Sequence, residues 1–209
     1  MLDQLSWFLP AFFKGLGVNF QLAFWVLLGG LPLGLLLAFL RLGTGWTARL
    51  TGWLVTLLRA VPTFVVMFFL VNVLPGNFSV VGIAMTMTPK AAIVLALIIY
   101  MTAYVSDNAL DALRQLRTGS TAAALLFLTN LLRAFFVTVL STSFGAALGV
   151  VEAVTVTLRA IEAMPLVSSR LMLIGVVMLV LTVCFQTIYQ LVNLLRSKLI
   201  QRYVQRSEI

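Results

Sequence analysis

Long apolar runs separated by short polar turns dominate the chain. The runs near 17–40, 53–74, 89–108, 122–148 and 170–193 are each long and apolar enough to cross a bilayer core as a helix, which takes about 20 residues. The pattern predicts an all-α membrane protein with five transmembrane helices. Residues 1–209 form one domain, since no internal repeat, low-complexity tract or soluble linker interrupts them. Ahead of the first run, Trp7, Phe8, Phe12, Phe13 and Lys14, broken by Pro10, read as an interfacial lead-in. They lack the basic start and small-residue cleavage site of a signal peptide. The longest connection, 149–169, places Glu152, Thr155, Arg159 and Glu162 on one stripe of an otherwise apolar helix. Such a helix is expected at the membrane surface or in a vestibule.

Composition agrees with that solvent. Apolar residues make up 62% of the 209 and charged residues 10%, with a mean hydropathy of +1.11, far from the roughly 25% charge of soluble domains. The chain has no His, which excludes imidazole metal sites and His-based triads. A single Cys184 in an apolar run cannot make an intrachain disulfide. The formal net charge of +8 would suit nucleic acid if it formed one face, but it is scattered over loops and a tail. Its distribution instead orients the chain. With the C-terminus inside, Arg41, Arg49, Arg114, Arg117, Arg196, Lys198, Arg202 and Arg206 are cytoplasmic, whereas only Lys14, Lys90 and Arg159 are outside, with Arg59, Arg133 and Arg170 in or near the membrane. That asymmetry follows the positive-inside rule and puts the N-terminus outside.

Two polar features fall inside the apolar runs. Arg133 lies 11 residues into the fourth run, about 16 Å deep and near the midplane. An unpaired charge there costs at least about 2.5–3.5 kcal/mol, so it should face an aqueous path or a partner, with Asp107 or another chain as candidates. Ser141, Thr142 and Ser143 supply three successive hydroxyls, which either bond to carbonyls one turn back or face a pathway.

Several stretches together resemble the permease subunits of polar-amino-acid ABC importers. Gly15-Leu16-Gly17-Val18-Asn19 and Leu33-Gly34-Leu35 through Arg41 look like their first span. Arg59-Ala60-Val61-Pro62-Thr63 resembles the Arg-Gly-Thr-Pro turn of the second, and Ala103-Tyr104-Val105-Ser106-Asp107 the Ala-Tyr-x-Ala-Glu end of the third. Ser141 through Glu152 is similar to Asp-Thr-Ser-Leu-x-Ser-Val-Ile-Gly-Val-x-Glu. Order and spacing carry the resemblance over about residues 15–195.

The departure lies between Gly119 and Thr142. In the family, the matching Gly opens a Gly-Gln-x-Glu-Ala-Ala-x-Ala-Leu-Gly signature, the coupling helix that docks on the ATPase. Here Thr142 follows Gly119 by only 23 positions, roughly twenty fewer than the family needs, equivalent to about 30 Å of helix. Arg114, Arg117 and Gly119 would be the residue of that cytoplasmic loop.

The resemblance implies a type I ABC importer permease in the bacterial inner membrane, moving a polar amino acid. It implies as partners a second, complete permease, ATPase subunits, a periplasmic or lipid-anchored solute-binding protein and membrane lipids, with no nucleic acid. The chain has no glycine-rich phosphate loop, so it is expected to bind no cofactor and catalyse nothing; ATP-Mg belongs on the ATPase subunits. Arg133, Ser141, Thr142 and Ser143 are then pathway candidates, and Arg59, Pro62, Asp107 and Glu152 structural or gating candidates. A non-transporting pseudo-permease, an uncoupled facilitator and a membrane-embedded enzyme are the other classes, the last opposed by the lack of His and of an intramembrane carboxylate pair.

Overall fold

The computed structural model describes residues 2–74, 76–80, 83–119 and 122–207. Among the described residues, four helical stretches, Trp7–Arg41, Pro89–Arg117, Leu126–Leu148 and Val167–Leu194, are long and apolar enough to cross a membrane, and a bent helix pair counts as a fifth when taken as one broken span.

The first helix, α1 (Leu2–Arg41), continues without a break through Pro10 and Pro32, so the expected separate lead-in is part of it. Packing explains why Pro10 does not end the helix. Phe8 and Phe12, on either side of it, are buried in a cluster with Ala153, Val156 and Ala160, which holds the proline-containing turn in line.

The second expected span, 53–74, is two helices, α2 (Trp46–Ala60) and α3 (Thr63–Val73), bent by 79°. Pro62 is the cause. It has no N–H to continue α2, and its ring keeps Val61 extended at φ −71°, ψ 121°. Its carbonyl then accepts the first bond of α3 from the Val66 amide at 3.1 Å. The connection that follows holds a short antiparallel hairpin, β1 (Asn77–Val80) and β2 (Ile83–Thr86), pairing Asn77 with Thr86. The apolar pattern gave no sign of it.

The third span, α4 (Pro89–Arg117), starts cleanly. The Thr88 hydroxyl accepts from the Ala91 amide at 3.1 Å, and Pro89 occupies the first helical turn, where its missing donor costs nothing. It ends at Arg117, and Gly119 just beyond its cap has a φ of 90°, which suits a residue without a side chain.

Residues 118–121 are all that separate α4 from α5 (Ala122–Ser141). The expected fourth span, 122–148, changes character at its end: Thr142–Leu148 is a 3-10 helix closed by Gly149 at φ 80°. The outer connection holds α6 (Ala153–Glu162), and α7 (Val167–Ser207) completes the chain. Thr155, Arg159 and Glu162 lie on α6 as expected; Glu152 precedes it as its cap, fully buried and so off the expected polar stripe.

The core is the seam between α1 and α4, closed by α3 and α5 around Val26, Met67, Ile93, Met101, Val105 and Ala134. Small residues set its spacing. A Cβ on Gly34 would lie 2.6 Å from the Val105 side chain and 2.8 Å from the Thr102 carbonyl. The two backbones approach closely only because Gly30 and Gly34 recur one turn apart, as in other membrane helix crossings.

Candidate functional site: polar groups along the α1, α4 and α5 seam

Polar side chains collect at three levels of this apolar bundle. At the end where α1 stops, Arg41 Nη1 donates to Asp107 Oδ1 at 2.8 Å and to the buried Ser106 hydroxyl at 3.1 Å. Arg59 Nη2 pairs with the other carboxyl oxygen of Asp107. One carboxyl therefore ties together α1, the last turn of α2 and α4, directly beside the bend at Pro62. Arg133 is not its partner: Arg41 and Arg59 occupy both oxygens.

Arg133 is found instead on the exposed face of α5, in the neighbourhood of Tyr100 on α4. Tyr100 stacks loosely on Tyr104, with ring centres 6.0 Å apart. The Tyr104 hydroxyl donates to the Asn130 carbonyl at 3.3 Å, and Asn130 Nδ2 to Asn108 Oδ1 at 2.8 Å. Two tyrosines, two amides and a guanidinium thus line one stretch of the α4–α5 face near the middle of both helices. Tyr100 lies 11 residues from the start of α4, and Arg133 11 from the start of α5.

The third level is buried. Asn19 on α1, 1% exposed, donates through Nδ2 to Thr142 Oγ1 at 2.9 Å and to Glu152 Oε2 at 3.1 Å, with Ser143 Oγ at 3.4 Å. Its carbonyl accepts from the Ala153 amide at 3.2 Å. Glu152 also accepts from the amides of Val154 and Thr155 and from the Thr155 hydroxyl, which satisfies the first turn of α6. A cavity of about 20 Å³ adjoins Asn19, Ser143 and Thr157. Ser141 and Thr142 also bond back to the carbonyls of Val137 and Val139 at 2.9 and 2.6 Å. Thr142 does both, because the turn tightens to 3-10 geometry there and presents its oxygen to α1.

Of the sequence candidates, Thr142, Ser143 and Glu152 meet at one node, Arg59 and Asp107 at another, and Arg133 stands apart from both. Arg114, Arg117 and Gly119 lie at the exposed end of α4. Asn19, Arg41, Asn108 and Asn130 carry the connecting bonds without having been singled out. For the three asparagines the available signal was an uncharged amide within an apolar run, where an unbonded polar group is costly. Among the described residues, no three His, Cys, Asp or Glu side chains gather as a metal site would need.

The bundle is thus a multi-span α-helical membrane protein. No family model matches the chain, and no curated protein matches it. It is similar to a solved structure described as an amino acid ABC transporter with histidines, with a TM-score of 0.60 and 20% identity, covering 98% of this chain and 97% of that one. At this identity the likeness is one of fold: the helices are arranged as in that solved structure.

Proposed function

We propose that this chain is a membrane-spanning permease subunit of an ABC importer for a polar amino acid. The carrying observation is the end-to-end likeness to an amino acid ABC transporter, joined to a polar α4–α5 face inside an apolar bundle. A zwitterion crossing that face would lose its hydration, which Arg133 can replace at the carboxylate and the Tyr100 and Tyr104 rings at the ammonium. The buried Asn19 node and the Arg41–Asp107–Arg59 cluster hold the helices that carry this face. The chain itself is non-catalytic, with hydrolysis of ATP-Mg on separate ATPase subunits, an external solute-binding protein delivering the solute, and the N-terminus outside the inner membrane.

The four residues between α4 and α5 support a further part of the reading. A turn of that length has no room for a helix that docks on an ATPase, so this subunit pairs with a second, complete permease that receives the stroke. The same turn favours a second reading, a pseudo-permease that supports its partner without touching solute.

One experiment separates them. The chain is coexpressed with the candidate permease, ATPase and binding protein, and labelled amino-acid uptake is measured for the wild type and Arg133→Ala. Reduced or re-selected uptake with the complex intact in detergent supports a solute-contacting subunit. Unchanged uptake supports the pseudo-permease. A homodimer of this chain that binds two ATPases and hydrolyses ATP in response to solute would sink the pairing.

A further inference from the structure

The positive-inside rule strips basic residues from one side of a membrane protein; Arg170 on that side is tied to the Met164 carbonyl at 2.7 Å, which leaves Lys14, Lys90 and Arg159 as the remaining basic residues there. All three line a single pocket. They come from three different elements, α1, the start of α4 and α6, and enclose about 410 Å³ together with Trp7, Val18 and Val156. None of the lining residues is acidic. Their charges are exposed, so they repel one another only weakly, and an anion placed among them relieves that repulsion.

The level of the pocket identifies the anion. Lys14 and Arg41 are 27 residues apart on α1, about 40 Å at 1.5 Å per residue, which matches the roughly 40–45 Å between the two headgroup regions of a bilayer. Lys14 therefore sits at headgroup depth when Arg41 sits at the opposite one. The pocket also does not end at the cations. Lys90 is shared with a second, open recess of about 570 Å³ between α1 and α4, whose other lining residues, Trp25, Leu28, Val94 and Ile98 among them, are apolar. Gly29, on its wall, is 15 residues below Lys14, about 22 Å deeper.

We infer that Lys14, Lys90 and Arg159 form a binding site for the phosphate of an anionic phospholipid, whose acyl chain lies in the recess between α1 and α4. Trp7 borders the headgroup in the manner of interfacial tryptophans. An acidic segment of a partner protein would satisfy the cations but leave the apolar recess without use, whereas a phospholipid fills both. The site is remote from Arg133 and does not depend on the transport reading.

The test uses the full chain purified and delipidated in detergent. Retention of phosphatidylglycerol is followed by native mass spectrometry, beside Lys14→Gln/Lys90→Gln/Arg159→Gln and a control, Arg114→Gln/Arg117→Gln. The wild type and the control should retain one lipid through delipidation, and the triple variant should bind it at least tenfold more weakly. Arg159→Gln alone, on an exposed face of α6 where folding is not at risk, should already weaken it several-fold. Equal retention in wild type and both pocket variants would overturn the site. Inorganic phosphate that displaces the lipid at comparable concentration would overturn the lipid as occupant, as would an acidic peptide of the solute-binding protein that competes more strongly than phosphatidylglycerol.

Discussion

Asn19→Ala removes the side chain on which the outer half of the bundle converges. Asn19 is the bridge between α1, the start of the 3-10 helix and the start of α6, making contacts over more than a hundred residues of sequence. The substitution leaves the buried Ala153 amide without its acceptor and withdraws one of the donors to Glu152, which remains fully buried. An orphaned buried group costs about 1–3 kcal/mol. Bonds between membrane helices average about 0.6 kcal/mol each, because the unfolded helices also find partners in the membrane. Two lost donations at about 0.6 kcal/mol each added to one orphaned amide at about 1–3 kcal/mol give an expected loss of about 2–4 kcal/mol, with the low end favoured if water enters the adjoining cavity.

The measurement is reversible unfolding of the purified chain in mixed micelles, followed by far-ultraviolet circular dichroism. Asn19→Asp is the discriminating companion. It keeps the acceptor for Ala153 but replaces the donating amine with an oxygen facing Glu152 Oε2, and should be at least as destabilising as alanine. Because Asn19 and Thr142 touch, Asn19→Ala and Thr142→Val should also be non-additive by about 1 kcal/mol. An Asn19→Ala variant within about 0.5 kcal/mol of wild type, or an Asn19→Asp variant as stable as wild type, would refute the bridging role.

Asp107→Asn should destabilise the bundle more than Arg59→Ala, since it weakens both the Arg41 and Arg59 contacts while the exposed Arg59 retains water; the reverse order in the same unfolding assay would show that the three-helix tie does not depend on the carboxyl. Cysteine introduced at Asn77 should react with an impermeant reagent in intact cells, and cysteine at Arg117 only after permeabilisation; the opposite pattern would reverse the proposed orientation.

Much of the architecture was legible because lipid imposes few solutions. A run of about 20 apolar residues must satisfy its own backbone, so helices were forced wherever such runs occurred. The same rule hid the breaks. The bend at Pro62 lies inside a continuous apolar run, and hydropathy cannot distinguish a straight span from two segments of equal greasiness; only the missing proline donor and the extended Val61 do. The tightening of the chain at Thr142 was hidden likewise, because the 3-10 turn keeps the same apolar composition as the helix before it.

Partners were harder to read than elements, and Arg133 and Asp107 show why. Depth along a helix follows from counting residues, so Arg133 could be placed near the middle of α5, but the face it occupies and the cations that reach Asp107 depend on how α1, α2 and α4 cross. That crossing is set by Gly30 and Gly34, which bring α1 against α4 closely enough for Arg41 to reach Asp107, and by the Pro62 bend, beside which Arg59 meets the same carboxyl. With both oxygens of Asp107 taken by Arg41 at the end of α1 and Arg59 at the end of α2, Arg133 is left on an exposed face. A charge held near the middle of a span without an ion pair among the described residues is costly against lipid alone, which fits the proposed hydrated path or second subunit; Tyr104 and Asn108 on α4 and Asn130 on α5 differ from it in that they satisfy one another across the two helices.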